Sequence, residues 1–457
     1  MGGGRPGAAW ESPAVMRRRW LAGIFAVSGI FAVLVAIFSS DSVHRLWGTM
    51  AACGYVLALL TSLAVRHARA ADVALGLSFC GALLAPLAWM AAKGIEQPEV
   101  WVVARSGETL IHQGTPYAGA AALAATQDPN AYNPYLPVMA LFGLPRALFG
   151  GGLLTDPRVW FGVVFLAVFW LALRRGGARD PGRWAIGVAA SPVIAFELAV
   201  GGTDVPMVAF LCLGFGLLLS PGGVTPRTPR GMSDRKSRIS DMLHRSEGIL
   251  AAPVLAGLAL GIAAAMKATA WPALIVAVVL LAVRDGKRAA GVFTLTALAV
   301  VAACVGPFLA HPKTLVENTI KFPLGLAHVR SAAASPLLGH IIASTWHTAG
   351  HTIVVGLLVA AAVGVALSLV FRPPRSVPRA VLLLAGAMTL MFVLAPSTRF
   401  GYFIYPATLA IWLFAVRAGR TAAGRTADCG EATPDPGEPA ARPYTSRPTT
   451  PASRPAA

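Results

Sequence analysis

Twelve apolar runs, most about 15–21 residues long, cut this chain into lengths that suit a bilayer crossing. Hydrocarbon offers backbone N–H and C=O groups no partner, so runs of this kind must fold as helices whose hydrogen bonds close internally. They fall at 20–38, 46–65, 72–92, 159–173, 184–200, 205–219, 249–266, 268–283, 289–310, 352–371, 380–394 and 402–416. The expected fold is an all-α polytopic bundle of about twelve transmembrane helices. With 56% hydrophobic and 13% charged residues, a soluble globular protein is excluded. The first run follows "MRRRW" and resembles a signal peptide, but it is too long for a typical signal and reads as a retained helix.

A formal charge of +18 would suit a nucleic-acid binder, but its distribution points to membrane topology. With both termini inside, the inner segments hold 22 Lys and Arg and the outer segments 10, the other 6 lying in the C-terminal tail. The expected placement is therefore a plasma-membrane protein with cytoplasmic termini and no nucleic-acid partner. Residues 1–19 form the cytoplasmic N-terminus and 20–416 the membrane domain. That domain has outer loops at 93–158 and 311–351 and a polar inner linker at 221–248. Residues 417–457, rich in Pro, Thr, Ala and Arg, are expected to be a disordered tail. The apolar piece at 136–149 is too short to span comfortably and is expected to lie in the interface or re-enter from outside. Four of the five cysteines sit in apolar runs, none forms a CxxC pair, and no metal-ligand set stands out. A divalent-cation requirement is left open.

The outer segments collect the chemistry. Early ones carry the carboxylates Glu96, Glu99, Glu197 and Asp204, and late ones the cations Lys267, Arg330 and Arg399. A carboxylate can accept the proton of an attacking hydroxyl, and cations can hold a departing phosphate. Each residue also has a plainer reading. Asp204, in "GGTDVP", is placed to cap the following helix. Lys267, in "MKATAWP", is placed to snorkel to the interface. Glu197 is placed to bond a neighbouring helix. Tyr117, Tyr132, Tyr135 and Tyr402 either stack on sugar faces or, like Tyr405, belong to an interfacial aromatic belt. On the belt reading, Tyr405→Phe should change little. Arg399, in "STRFGYFIYP", is either a boundary anchor or a phosphate holder. There is no P-loop, no GxGxxG after a strand and no HExxH, so a donor already in the membrane fits better than a soluble nucleotide.

The order "PEVWVVARSGETLIHQGTPY", "YNPYLPVMALFGLP", "DPRVWF", "GGTDVP", "MKATAWP", "KFPLGLAHVRSAAASPLLGH" and "STRFGYFIYP" resembles glycosyltransferase family 87. These are bacterial, especially actinobacterial, membrane proteins of the GT-C superfamily. The resemblance covers roughly residues 95–416. It implies an α-mannosyltransferase-like enzyme that uses a polyprenyl-phosphate sugar donor. The expected reaction is inverting hexosyl transfer to an extracytoplasmic glycan or glycolipid, from an active site on the outer face. Where the family usually has an aspartate, this chain has Glu99, which becomes the expected general base. Asp204 or Glu96 becomes a second acid, and Arg399, Arg330 and Lys267 become the donor-phosphate cations. The alternative reading is a multi-span transporter or lipid flippase. It fits the number of spans but not the clustering of ionisable residues at one boundary.

Overall fold

Packing sorts the apolar runs into a buried centre and a lipid-facing rim. In the computed structural model, which describes residues 13–65, 67, 69–219, 235–324, 326–329, 333–346 and 349–430, every one of the twelve runs is helical. Eight helices are long and apolar enough to cross a membrane: Arg18–Phe38, Ser42–Ala64, Ala70–Lys93, Pro157–Gly176, Lys287–Ala310, Gly350–Phe371, Val377–Leu394 and Phe400–Ala423. Three more runs give the shorter helices Val205–Leu217, Leu250–Met266 and Ala268–Arg284. Short length is tolerable for Val205–Leu217 because protein shields it: Val205 to Leu213, Phe210 apart, and then Gly214, Phe215 and Gly216 are buried. This helix lies between Pro157–Gly176 and Arg235–Met266, and the latter packs on Lys287–Val305. Phe161, Phe165 and Phe169 are fully buried on the Pro157–Gly176 helix, the last two stacked 5.1 Å apart. By contrast, Gly350–Phe371 buries almost nothing in the protein and belongs to the rim.

The run at 184–200 is not one straight span. It folds as Pro181–Ala189 and Pro192–Val200, bent by 59°. Pro192 cannot donate to the preceding turn, and a helix breaks where that bond is missing. The Tyr55 hydroxyl donates to the Ala190 carbonyl at 2.7 Å and so satisfies a backbone group at the break. The sequence signal was Pro192 itself.

The piece at 136–149 folds as a 3₁₀ turn, Pro137–Gly143, and a short helix, Leu144–Phe149. It packs on the Pro98–Gln113 helix and on Arg235–Met266, so its irregular backbone is covered by protein. The second half of the segment read as an inner linker, from Arg235, is the start of the Arg235–Met266 helix, while 220–234 lie outside the described residues. At the other end the Ile404–Gly430 helix continues past 416, through "RAGRTAAGR", whose Ala and Arg are good helix formers. The rest of the expected tail, 431–457, lies outside the described residues.

Candidate active site

Four connections that a twelve-crossing alternation places at one end of the bundle do meet there. They carry Glu99, Asp204, Lys267 and Arg399, and these four side chains form two acid–cation pairs, Glu99–Arg399 and Asp204–Lys267.

Glu99 sits in the first turn of Pro98–Gln113, where the helix N-terminus favours an anion. Pro98 starts that helix with its preset φ, and the Gln97 N–H donates to the Val200 carbonyl at 3.0 Å. This bond fastens the base of the helix to the segment that leads to Asp204. Glu99 Oε1 is held by Arg399, whereas Oε2 is buried with no hydrogen-bond partner among the described residues.

Arg399 occupies extended backbone, clamped on both sides. Ala334 and Thr398 form an isolated parallel bridge, the Ser335 N–H donates to the Thr398 carbonyl at 2.9 Å, and the Phe400 N–H donates to Ser335 Oγ at 3.1 Å. The small residues Ala334 and Ser335 thus allow a close backbone approach, and what approaches is the arginine's own strand. The Arg399 side chain remains 36% exposed. Burial pulls its pKa down, but the neighbouring Glu99 carboxylate, with the Tyr402 and Tyr135 hydroxyls, outweighs that and holds it above the usual arginine value.

Asp204 stands at the N-cap position but its side chain makes no capping bond. Gly202, at φ +46°, turns the chain tightly there, and Pro206 fills the first helical turn. The Asp204 carboxylate instead receives Lys267 Nζ and the Tyr405 hydroxyl on the same oxygen, Oδ1. Capping alone therefore does not describe it. Lys267 does not snorkel either. It lies at the break between Arg235–Met266 and the Ala268–Ala270 turn, in extended conformation, with its side chain and that of Asp204 each 13% exposed. Its ammonium lies 5.4 Å from the ring centroids of both Tyr135 and Tyr402. Burial disfavours the charge, but Asp204 together with the Tyr405, Tyr402 and Tyr135 hydroxyls outweighs it, so its pKa stands well above the usual lysine value.

Tyr135 and Tyr402 thus line the site, with the Thr203 hydroxyl donating to the Tyr135 hydroxyl at 3.3 Å. Burial pushes the Tyr135 phenol above its ordinary range. The other two predicted aromatics are elsewhere. Tyr117 is buried and donates to the Tyr135 carbonyl at 3.0 Å, bracing the loop from behind. Tyr132 is buried in a separate cluster, stacked 4.5 Å from Phe322. Neither leaves a ring face open to a sugar. Glu96 is also set apart. It lies 3.3 Å from Arg146 and 3.9 Å from the fully buried Arg158, which Asp156 and the carbonyls of Ile95 and Ala199 hold in place. Burial raises its pKa against the opposing pull of Arg146. Its neighbours make Glu96 part of a structural network rather than an acid in the site. Arg330 lies outside the described residues.

Three groups in the site were not singled out as such by the sequence. Tyr405 is fully buried and interior rather than interfacial, with its hydroxyl 2.8 Å from Thr269 Oγ1 as well as on Asp204. The belt reading of Tyr405 therefore fails. A hydrogen bond to a charged group contributes about 1.5–3 kcal/mol. Tyr405→Phe is thus expected to lower the unfolding midpoint of the detergent-solubilised protein by that equivalent, and an unchanged midpoint would show the bond to be idle. Thr269 is the second group. His44, at the start of Ser42–Ala64, is the third. It bonds Gln97 and, at 3.1 Å, Ser39 Oγ, and so brings the first helix pair to the rim of the site. Among the described residues no three His, Cys, Asp or Glu come together as a metal-binding group. A cavity of about 630 Å³ lined by Arg19, Trp20, Gly23, Ile24, Val27 and Ser28 lies near the far end of the first helix, away from these pairs.

The profile of glycosyltransferase family 87 matches residues 133–396. That span holds Asp204, Lys267 and Tyr135, while Glu99 precedes it and Arg399 follows it by three residues. A comparison with curated protein sequences finds no match. Among solved structures, the chain is similar to ArnT from Cupriavidus metallidurans in the apo state. The TM-score is 0.42 at 17% identity, over 79% of this chain and 64% of that one. It is similar to the same protein bound to undecaprenyl phosphate, with a TM-score of 0.44 at 16% identity, over 80% of this chain and 64% of that one. The chain therefore spans somewhat less than two thirds of the length of these structures.

Proposed function

The chain belongs to glycosyltransferase family 87, and from that membership we propose that it transfers a hexosyl group, mannosyl in the first instance, from a polyprenyl-phosphate donor to a glycan or glycolipid acceptor outside the cytoplasmic membrane. Membership makes the protein a glycosyltransferase rather than a transporter or flippase. The observation that carries the finer reading is the meeting of two acid–cation pairs at one end of a membrane bundle. The excess of Lys and Arg in the segments at the opposite end supports an outward-facing site with cytoplasmic termini.

In this reading Arg399 and Lys267 bind the donor phosphate, with Arg330 as a third cation, and Tyr135 and Tyr402 flank the sugar. Arg399 then turns its charge from Glu99 to the phosphate. Glu99, whose Oε2 has no partner among the described residues, takes the proton of the acceptor hydroxyl as that oxygen bonds to the anomeric carbon. The bond between that carbon and the phosphate oxygen breaks on the opposite face, so configuration inverts. The electron pair leaves on polyprenyl phosphate, whose charge the cations neutralise. Asp204 keeps Lys267 charged and aimed.

Membranes carrying the protein, incubated with radiolabelled polyprenyl-phosphomannose and polyprenyl-phosphoglucose, are expected to pass label to a glycan or glycolipid. Arg399→Ala should raise the KM for the donor about 10- to 100-fold, the worth of a charge-assisted phosphate contact. Absence of transfer from either donor sinks the proposed reaction. An unchanged donor KM in Arg399→Ala makes the arginine a boundary anchor.

A further inference from the structure

Among the described residues the site holds one carboxylate more than its cations account for. Glu99 is taken by Arg399 and Asp204 by Lys267, but Glu197, in Pro192–Val200, has no ion-pair or hydrogen-bond partner among the described residues. It is only partly buried, and among the described residues it makes no side-chain hydrogen bond to a neighbouring helix. Its position is set closely from the other side. A Cβ placed on Gly401, two residues after Arg399, would overlap Glu197 Oε1 and lie 2.9 Å from its Cδ and 3.0 Å from Oε2. The glycine of "STRFGYF" therefore makes room for this carboxyl group beside the Arg399 strand. Six residues after Glu197, across the tight turn at Gly202, the chain delivers Thr203 and then Asp204 to the same site.

An unpaired acid at membrane depth is costly to keep, and it repels the phosphate that the two cations are placed to bind. The part of the site it faces must then take a neutral, hydroxyl-bearing group, since sugar hydroxyls donate well to a carboxyl oxygen and add no charge. We propose that Glu197 is a sugar-binding residue, with its carboxyl group accepting hydrogen bonds from hydroxyls of one of the two glycosyl substrates while Arg399 and Lys267 hold the phosphate. This rests on the glycosyltransferase reading with a lipid-phosphate donor given above.

The test uses the full chain in lipid nanodiscs and two readouts. One is binding of sugar-free polyprenyl phosphate. The other is the KM for the polyprenyl-phosphosugar and for the acceptor. For Glu197→Gln, sugar-free polyprenyl phosphate is expected to bind at least as tightly as to wild type, because a repelling charge is removed, while one KM rises about 10- to 100-fold. A rise in the acceptor KM assigns Glu197 to the acceptor, and a rise in the donor KM assigns it to the transferred sugar. Gly401→Ala should raise the same KM, because its methyl group displaces the carboxyl. Two unchanged KM values, or a loss of sugar-free phosphate binding alongside them, would overturn the proposal. If Glu197→Gln does not yield folded protein, Glu197→Asp, which withdraws the carboxyl by one methylene, is read in the same way. A wild-type protein that transfers no label defeats the underlying reaction instead, and that outcome is told apart because no KM is then measurable.

Discussion

Glu99→Gln is expected to lower the rate of glycosyl transfer by about 10²–10⁴-fold, the usual contribution of a positioned general base. The change is nearly isosteric and sits in the first turn of a helix whose start is fixed by Pro98 and by the Gln97 bond to Val200, so the fold should survive. A second consequence separates the base from a structural partner of Arg399. Glu99 occupies the guanidinium that the donor phosphate requires. Removing its charge frees Arg399, so sugar-free polyprenyl phosphate should bind at least as tightly to Glu99→Gln as to wild type. Transfer and phosphate affinity would then move in opposite directions. A variant that loses both has lost the shape of the site, and one that keeps transfer removes Glu99 from the mechanism.

The sequence made the helices legible because apolar length and basic breaks are both one-dimensional signals. Each of the twelve runs is helical in the structure, the one at 184–200 as two helices bent at Pro192, and the alternation of crossings grouped Glu99, Asp204, Lys267 and Arg399 at one end. Partnership was not legible. Glu99 and Arg399 are 300 residues apart and Asp204 and Lys267 are 63 apart, and no local pattern says which acid meets which cation. Glu96 and Glu99 lie three residues apart with the same chemistry, yet one joins Arg146 and Arg158 while the other meets Arg399. Helix direction at Pro98 decides between them. Tyr405 was misread as a belt residue because depth along a helix is uncertain by about a turn, and one turn separates an interface from an interior. The bend at Pro192 and the room left by Gly401 had visible signals, a proline inside an apolar run and a glycine between aromatic residues.

The Asp204–Lys267 pair supports the other large effect, and its two halves are not equivalent. Lys267→Met should be the harsher change. It leaves a carboxylate, 13% exposed, with the Tyr405 hydroxyl as its remaining partner. Breaking a buried pair in this way costs about 3–5 kcal/mol. Asp204→Asn should be milder, because the amide oxygen still accepts from Lys267 and Tyr405 and the ammonium keeps the faces of Tyr135 and Tyr402. The double variant removes both charges and should recover most of the stability lost in Lys267→Met, since no uncompensated ion remains. It should not recover transfer, because the phosphate has lost a cation. Unfolding midpoints in detergent and transfer rates, measured on all three variants, give a cycle in which stability is restored and activity is not. Equal destabilisation by the two single changes, with no recovery in the double, would mean that the pair is held by its surroundings rather than by its charges. A double variant with near-normal transfer would show that Lys267 serves the fold alone and that Arg399 carries the phosphate without it.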